Sequence, residues 1–408
     1  MENALAVYQS LPFPTDKQDA WRRTSLADLE KQKYHFDFDS RPPAAIPDQY
    51  LKPIIEGDQA GQLVVSPGRS FGGVTPEYEN AGVIFCDLFN AMRTHPELLE
   101  EKLGSLVRAE DGKFAALTAA FAQHGTFLYV PADVKIKEPL HALFWNAGDN
   151  TAACSRHVIW VESGAEVTFV QEFASEENLS AQFHTGILEV YVGAGAKLNF
   201  VELQSWNRGT WNIIHEKVKL EHDADLSWIF GSLGSRLTKS FSSIDLAGPG
   251  ANAKVSGFYF ADGSQHLDMD TEQNHLAANT TSDLLYKGAV TGRARSVWQG
   301  NIYVAHGANG TDGYQANRNL ILSRSARADS IPGLEILADD VKCTHGATVG
   351  KVDEDQVFYL RSRGLTERDA RHLIVEGFFE TIMERIPFQA VSDRFRDAII
   401  SKIDYQND

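Results

Sequence analysis

Near the end of the chain, the stretch ADDVKCTHGATVG (residues 338–350) sets Cys343 two places before His345, ahead of a glycine-containing turn. If DVKCTH is a strand, side chains two apart point the same way, and a thiolate and an imidazole come within reach of one shared ion or cluster. These are the ligand types of zinc sites and iron–sulfur centres. A closed structural site needs four ligands, and here there are two. The pair is therefore half of a site that another chain completes, or no site at all, because a free cysteine often serves as a small buried hydrophobe.

A second set lies in HLDMDTEQNH, where His266, Asp268 and Asp270 occupy alternate positions. On a strand they share one face at a spacing of ~6.6–7 Å, and hard or borderline cations favour such donors. The same alternation marks a strand with one wet face. His275 precedes Asn, Thr and Ser residues that suit turns and reads as structural. His306, in YVAHGANG, reads the same way, with a partner-facing position at the edge of a repeat as the alternative. The sequence has no P-loop, no dinucleotide fingerprint after a strand, no nucleophile elbow and no HExxH. That counts against the common enzyme classes. A carbohydrate-active lyase or hydrolase would need carboxylates lined along a groove, and HLDMD is the single candidate.

The elements that must position these residues fall into three regions: 1–124, 125–346 and 347–408. The first reads as mostly helical. Thr15 and Gln18 have capping-box spacing before DAWRRTSLADLEKQ, and NAMRTHPELLEEKLGSLV and GKFAALTAAFAQHG have apolar residues at helical intervals. From about residue 125 the texture becomes short runs of Val, Ile, Phe and Tyr (TFLYV, HVIWV, EVTFV, ILEVYV, KLNFVEL, KVSGFYF) between Gly, Asn and Asp. A weak repeat sets an alanine before a strand at Ala165, Ala196, Ala224 and Ala253, at intervals of 31, 28 and 29 residues, with RARSVW and SARADSI as fainter copies. A supersecondary repeat of that length fits a solenoid whose coils cover one another's apolar faces, and the expected core is a parallel β-helix. After residue 350 helices return. Gly364 closes one as a C′ residue, and Thr366, with Asp369 three places on, opens the next. Ile374, Phe378, Ile382 and Ile386 form one apolar stripe, and Val391, Phe395, Ile399 and Ile403 a second. Such stripes more commonly pack on each other, but two short helices outside a solenoid have little core of their own, which makes a partner protein the alternative.

The chain has 408 residues and a formal net charge of −17, with 43% hydrophobic and 23% charged residues. That is a globular composition, and its sign argues against a nucleic-acid partner. The first residues lack the basic and apolar regions of a signal peptide. Cys86, Cys154 and Cys343 are an odd number and make no disulfide framework. The expectation is a reducing cytoplasm.

The stretches HLAANTTSDLLYKGAVTGRARSVWQGNIYVAHGANGTDGYQANRNLILS and PGLEILADDVKCTHGATVGKVDEDQVFYLRSRGL closely resemble the SufB/SufD family of iron–sulfur cluster assembly proteins, as do WRRTSL and LIVEGFFETIMERI. The strong match covers roughly residues 265–390. The resemblance implies a mainly β fold, a right-handed parallel β-helix flanked by N-terminal and C-terminal helical segments. It implies a non-enzymatic subunit of a cluster-assembly complex, paired with a SufB-like scaffold through the ends of their β-helices. A SufC-like ATPase would grip the C-terminal helices, where Ile374, Phe378, Ile382, Ile386 and Phe395 are the expected contacts. The family's Cys-x-His matches Cys343 and His345, with the histidine the more strongly implicated. No cofactor is expected to stay on the isolated chain. Iron or an iron–sulfur cluster would pass transiently through the complex, which the resemblance also associates with a reduced flavin. A homodimer is the fallback without the sister chain. One departure is informative: where scaffold-type sisters carry a cysteine in the strand YQANRNLIL, this chain has Asn317. One thiol cannot hold a cluster through four thiolates, which points to the non-scaffold sister.

Overall fold

A computed structural model describes residues 2–36, 46–51, 59–386 and 389–404. The chain opens with α1 (Glu2–Ser10), α2 (Ala27–Lys31), β1 (His35–Phe36), α3 (Asp48–Leu51), β2 (Gly61–Ser66), β3 (Arg69–Val74), α4 (Pro76–Asn80), β4 (Ile84–Asp87), α5 (Leu88–Thr94), α6 (Pro96–Leu99) and α7 (Lys113–Phe121). Strands then follow without interruption: β5 (Thr126–Val130), β6 (Leu140–Asn146), β7 (Thr151–Val161), β8 (Glu166–Ser175), β9 (Gln182–Val192), β10 (Lys197–Ser205), β11 (Thr210–Leu220) and β12 (Asp225–Ser232). The run continues with β13 (Leu237–Leu246), β14 (Asn252–Ala261), β15 (His266–His275), β16 (Thr281–Val290), β17 (Arg295–Val304), β18 (Thr311–Ile321), β19 (Arg327–Ile336) and β20 (Val341–Lys351). Helices α8 (Glu354–Ser362), α9 (Glu367–Met383) and α10 (Gln389–Asp404) close the chain.

From β5 onward odd-numbered strands stack in one sheet and even-numbered strands in the other, each parallel to its neighbour one coil away. This is a parallel β-solenoid with helices at both ends, the expected class. The alanine repeat has a structural origin, with one correction. In register, Glu166, Lys197, Asp225 and Asn252 stack, so the buried corner residues before them are Ala165, Ala196, Ala224 and Ala251. Ala253 lies two places along. The fainter copies, Ala294 and Ala326, precede β17 and β19 and so belong to the corner of the other sheet.

The inner faces of the two sheets form one apolar column, with Phe169 stacked on Phe200 at 5.8 Å and Phe200 against Trp228 at 5.5 Å. Each such side chain, once fully buried, contributes about 1.5–3 kcal/mol. Coil corners bend through left-handed backbone at Asp133, Asn150, Asp223 and Asn279. Short polar side chains and glycine are what that conformation tolerates, which explains the Gly, Asn and Asp between the strands.

The first region is not helical throughout. β2 and β3 extend the even sheet and β4 the odd one, so both sheets begin before residue 125, and at the other end β20 runs past 346 to Lys351. The helix expected over DAWRRTSLADLEKQ breaks into one 3-10 turn, Asp19–Trp21, and the short α2. Thr15 and Gln18 close only a turn, Gln18 N–H bonding Thr15 O at 3.0 Å. Tertiary contacts override the helical pattern here: Trp21 enters a core with Phe114, Phe183 and Trp211 on the outer face of the odd sheet. Pro96 separates α5 from α6. Beyond it the backbone wraps a buried carboxylate, Glu189 on β9. The N–H groups of Gly104, Leu106 and Val107 donate to it at 3.0–3.1 Å, and Arg156 pairs with it at 2.9 Å. Among the described residues no helix is long and apolar enough to cross a membrane.

Candidate functional site

β19 and β20 are the last strands of their sheets, and among the described residues neither has a strand on its outer edge. The burial of earlier coils gives way to exposure along both, with Leu334, Ile336, Leu337 and Val349 open to solvent. An unpaired edge with apolar side chains is a surface for another chain.

Cys343 and His345 sit on β20. The turn expected after the histidine is absent: the strand continues through Gly346 to Lys351. Cys343 pairs in register with Gly313 of β18 and His345 with Gln315, so both belong to the row that faces the inside of the coil. Cys343 is half-buried against Ile302, Val304 and Ala308, and this burial pushes its thiol above the ordinary value, opposed by the Gly313 backbone N–H. His345 is exposed. Gly313 matters: a Cβ there would meet Cys343 Sγ, His275 Nε2 and Ile302 Cγ2, each at 3.3 Å. A glycine keeps the space beside the thiol open. A glycine inside a strand (TDGYQ) is the sequence signal for such a close approach.

His275 is held from both sides, Nδ1 2.7 Å from Thr280 Oγ1 and Nε2 2.9 Å from Ser282 Oγ, and burial pushes it down to about 4. Its structural reading stands. His306 lies exposed in the turn between β17 and β18.

His266, Asp268 and Asp270 do share a face, but the face is not wet. Leu267 and Met269 point into the inner column, which turns the alternate residues outward, beneath the N-terminal segment. Their cation is a lysine: fully buried Lys239 lies 2.9 Å from both Asp268 and Asp270. Thr24 donates to Asp268, and His266 Nε2 lies 2.7 Å from the same hydroxyl. Gln299 donates to Asp270 at 2.9 Å. Burial, then Arg295 and Lys239, push His266 down to about 4. Asp268 is fully buried and both carboxylates are held by Lys239, so this pair is not the line of free carboxylates that a carbohydrate-active site needs. Among the described residues no three His, Cys, Asp or Glu side chains are grouped to hold a metal ion.

The C-terminal stripes also have an occupant. Asp353 and Thr366 cap α8 and α9, accepting from the N–H groups of Asp355 and Asp369, and Gly364 turns the chain at φ 99°. Ile382, Ile386, Phe395 and Ile399 are buried against Val201, Ile229, Phe258 and Leu285 on the outer face of the even sheet, with Ile374, Phe378 and Ile403 partly buried alongside. Val391 lies outside the described side chains. The two helices therefore do not lack a core, contrary to expectation: the solenoid supplies it. What remains outward is a different set, Phe358 (73% exposed) and Tyr359 (56%) on α8 and Leu373 (48%) on α9. The adjacent Phe358 and Tyr359 beside core-facing Val357 carried the signal, since consecutive helical residues cannot all face one core.

A parallel solenoid with an open terminal coil, a thiol and an imidazole on that coil, and a helical tail on one sheet defines a protein of the β-solenoid class. Residues 144–378 match the family model for the SUF system FeS cluster assembly SufBD core domain, and residues 1–142 match the SufBD protein N-terminal region. Iron–sulfur cluster assembly SufBD family proteins of Staphylococcus haemolyticus and Staphylococcus epidermidis are each 32% identical over 313 residues, covering 77% of this chain and 67% of theirs. The corresponding Staphylococcus saprophyticus protein is 31% identical over the same span. The chain belongs to the SufBD family of iron–sulfur cluster assembly proteins.

Proposed function

We propose that this chain is the non-scaffold, SufD-type subunit of a cluster-assembly complex, a partner in assembly rather than a catalyst. The observation that carries the reading is the terminal coil: a thiol and an imidazole two residues apart beside an unpaired, partly apolar edge. A SufB-like scaffold pairing along β19 and β20 satisfies those edges by strand addition. It also supplies the ligands that Cys343 and His345 lack for iron or a nascent cluster, the cargo. Asn317, buried opposite Ala347 of β20, leaves this strand without a second thiol, which supports the non-scaffold role. The outward face of α8 and α9, at Phe358, Tyr359 and Leu373, is the docking surface for a SufC-like ATPase. The stripe residues Ile382, Ile386 and Phe395 support that surface from beneath. Without the scaffold, the same edge pairs two copies of this chain.

The test is co-expression with candidate scaffold and ATPase chains, anaerobic purification, and measurement of stoichiometry and iron. A complex of all three that loads iron, and loses it with His345→Ala while its subunits stay associated, supports the reading. A chain that copurifies with neither partner overturns it.

A further inference from the structure

Inside the solenoid, away from the terminal coil, two carboxyl groups face one another. Glu202 on β10 and Glu216 on β11 come from opposite sheets and meet side chain to side chain in the inner column, both buried. Ser242 Oγ donates to Glu216 Oε2 at 2.5 Å. Glu202 Oε2 and Glu216 Oε1 have no donor. Trp228 and Tyr286 face the pair from the even sheet, and among the described residues no lysine or arginine acts on either carboxyl. Ionised carboxylates accept and never donate. Two of them side by side in a dry core would leave two buried charges that repel and two buried acceptors unpaired. A single proton between them removes one charge and gives the facing oxygens their missing donor.

We propose that Glu202 and Glu216 form a proton-binding site that holds one shared proton at neutral pH. On the far side of the odd sheet, a cleft of about 310 Å³ under the N-terminal cover borders the strands that carry Glu216 and Ser242. Asp111, His215, Lys217, Asp270 and Glu272 line its walls. The proton passes to water when the chain unfolds and the pair ionises. Burial raises both carboxyls above the ordinary carboxylate range; Glu216 raises Glu202 further against the Trp228 indole, while bonds to Glu202 and Ser242 partly offset the rise at Glu216. The sign follows: the native chain keeps a proton that the unfolded chain has lost, so stability falls as pH rises above the unfolded carboxylate value. The site makes no contact with Cys343 or His345 and does not depend on the role proposed for them.

The full chain and its Glu216→Gln variant would be unfolded with denaturant at points between about pH 6 and pH 9. The amide of the variant supplies a donor without a proton. Relative to the variant, the wild-type folding constant should fall about tenfold per pH unit while the native pair stays protonated, and unfolding near neutrality should release one additional proton. Parallel stability curves for the two proteins overturn the proposal. So does a wild-type excess stability that tracks sodium, potassium or magnesium concentration instead of pH, which would make the occupant a metal cation. If Glu216→Gln does not fold, Glu202→Gln takes its place with the same expectation. Infrared spectra of wild type with carbon-13-labelled glutamate must then show an un-ionised carboxyl band at neutral pH, and its absence overturns the proposal.

Discussion

Replacing Phe358 with alanine should separate docking from folding. Phe358 is 73% exposed, so roughly a quarter of its surface contributes to the native state. Full burial of such a side chain is worth about 1.5–3 kcal/mol, so truncation should cost less than about 1 kcal/mol of stability. An exposed aromatic at the centre of a protein interface commonly contributes about 2 kcal/mol or more, which corresponds to a roughly thirtyfold rise in Kd. The contrast is Ile382→Ala, on the buried side of α9. That change should cost about 2–5 kcal/mol of stability and affect docking only through loss of the helix. Titration calorimetry with the purified ATPase measures the first quantity, and denaturant unfolding the second. A folded Phe358→Ala protein that binds the ATPase with unchanged Kd refutes the assignment of this face. Phe378 makes a poorer probe: its ring lies 4.9 Å from Lys287 Nζ and belongs to the chain's own core.

His345→Ala should leave unfolding within about 0.5 kcal/mol of wild type, since the side chain is exposed, while cells that depend on this system lose cluster-enzyme activity. Normal activities in that strain would remove His345 from the site. Glu189→Ala strands the N–H groups of Gly104, Leu106 and Val107 and the charge of Arg156. A loss of about 3–5 kcal/mol is expected by denaturant unfolding, with early proteolysis between residues 101 and 108. Burial depresses His184, His215, His266 and His275 to about 4 and His157 to about 3. Unfolded imidazoles take up protons near 6.5 while the folded ones do not. The contribution of these histidines to stability is therefore complete above ~6.5 and falls as pH drops toward 4, each group contributing up to about 1.4 kcal/mol per pH unit. Unfolding midpoints that stay flat across that window would contradict the burial of these rings.

The solenoid was legible because its signal is repeated: each coil restates the same corner and the same alternation, so single misplacements such as Ala253 average out. The Cys343 and His345 pair was legible from spacing alone, because a two-residue interval on a strand fixes a shared side. Asp268 and Asp270 were harder. Their alternation announced a face but not what covered it, and the cover comes from Thr24, more than two hundred residues away. The C-terminal stripes misled for the same reason. Periodicity reports that a helix has an apolar side, and only tertiary structure reports whether that side meets the chain itself or another protein. Glu189 and Glu216 carried no local mark, since each depends on groups brought in from distant strands and loops.

The clasp between Thr24 and β15 also bears on the order in which this protein folds. During synthesis the solenoid can grow coil by coil, each new strand pairing with one already in place, which keeps most contacts short in sequence. Thr24 cannot close on His266 and Asp268, 242 and 244 residues downstream, until that coil has emerged. Closing a free loop of this length would cost about 5 kcal/mol of chain entropy. The earlier docking of Trp21 beside Phe114 and Phe241 holds the segment near its target and shortens the search. Until β15 pairs with β13, Lys239 stands without its two carboxylates. A nascent chain stalled before β15 therefore carries an unneutralised lysine on its odd sheet, a feature that distinguishes unfinished from finished protein.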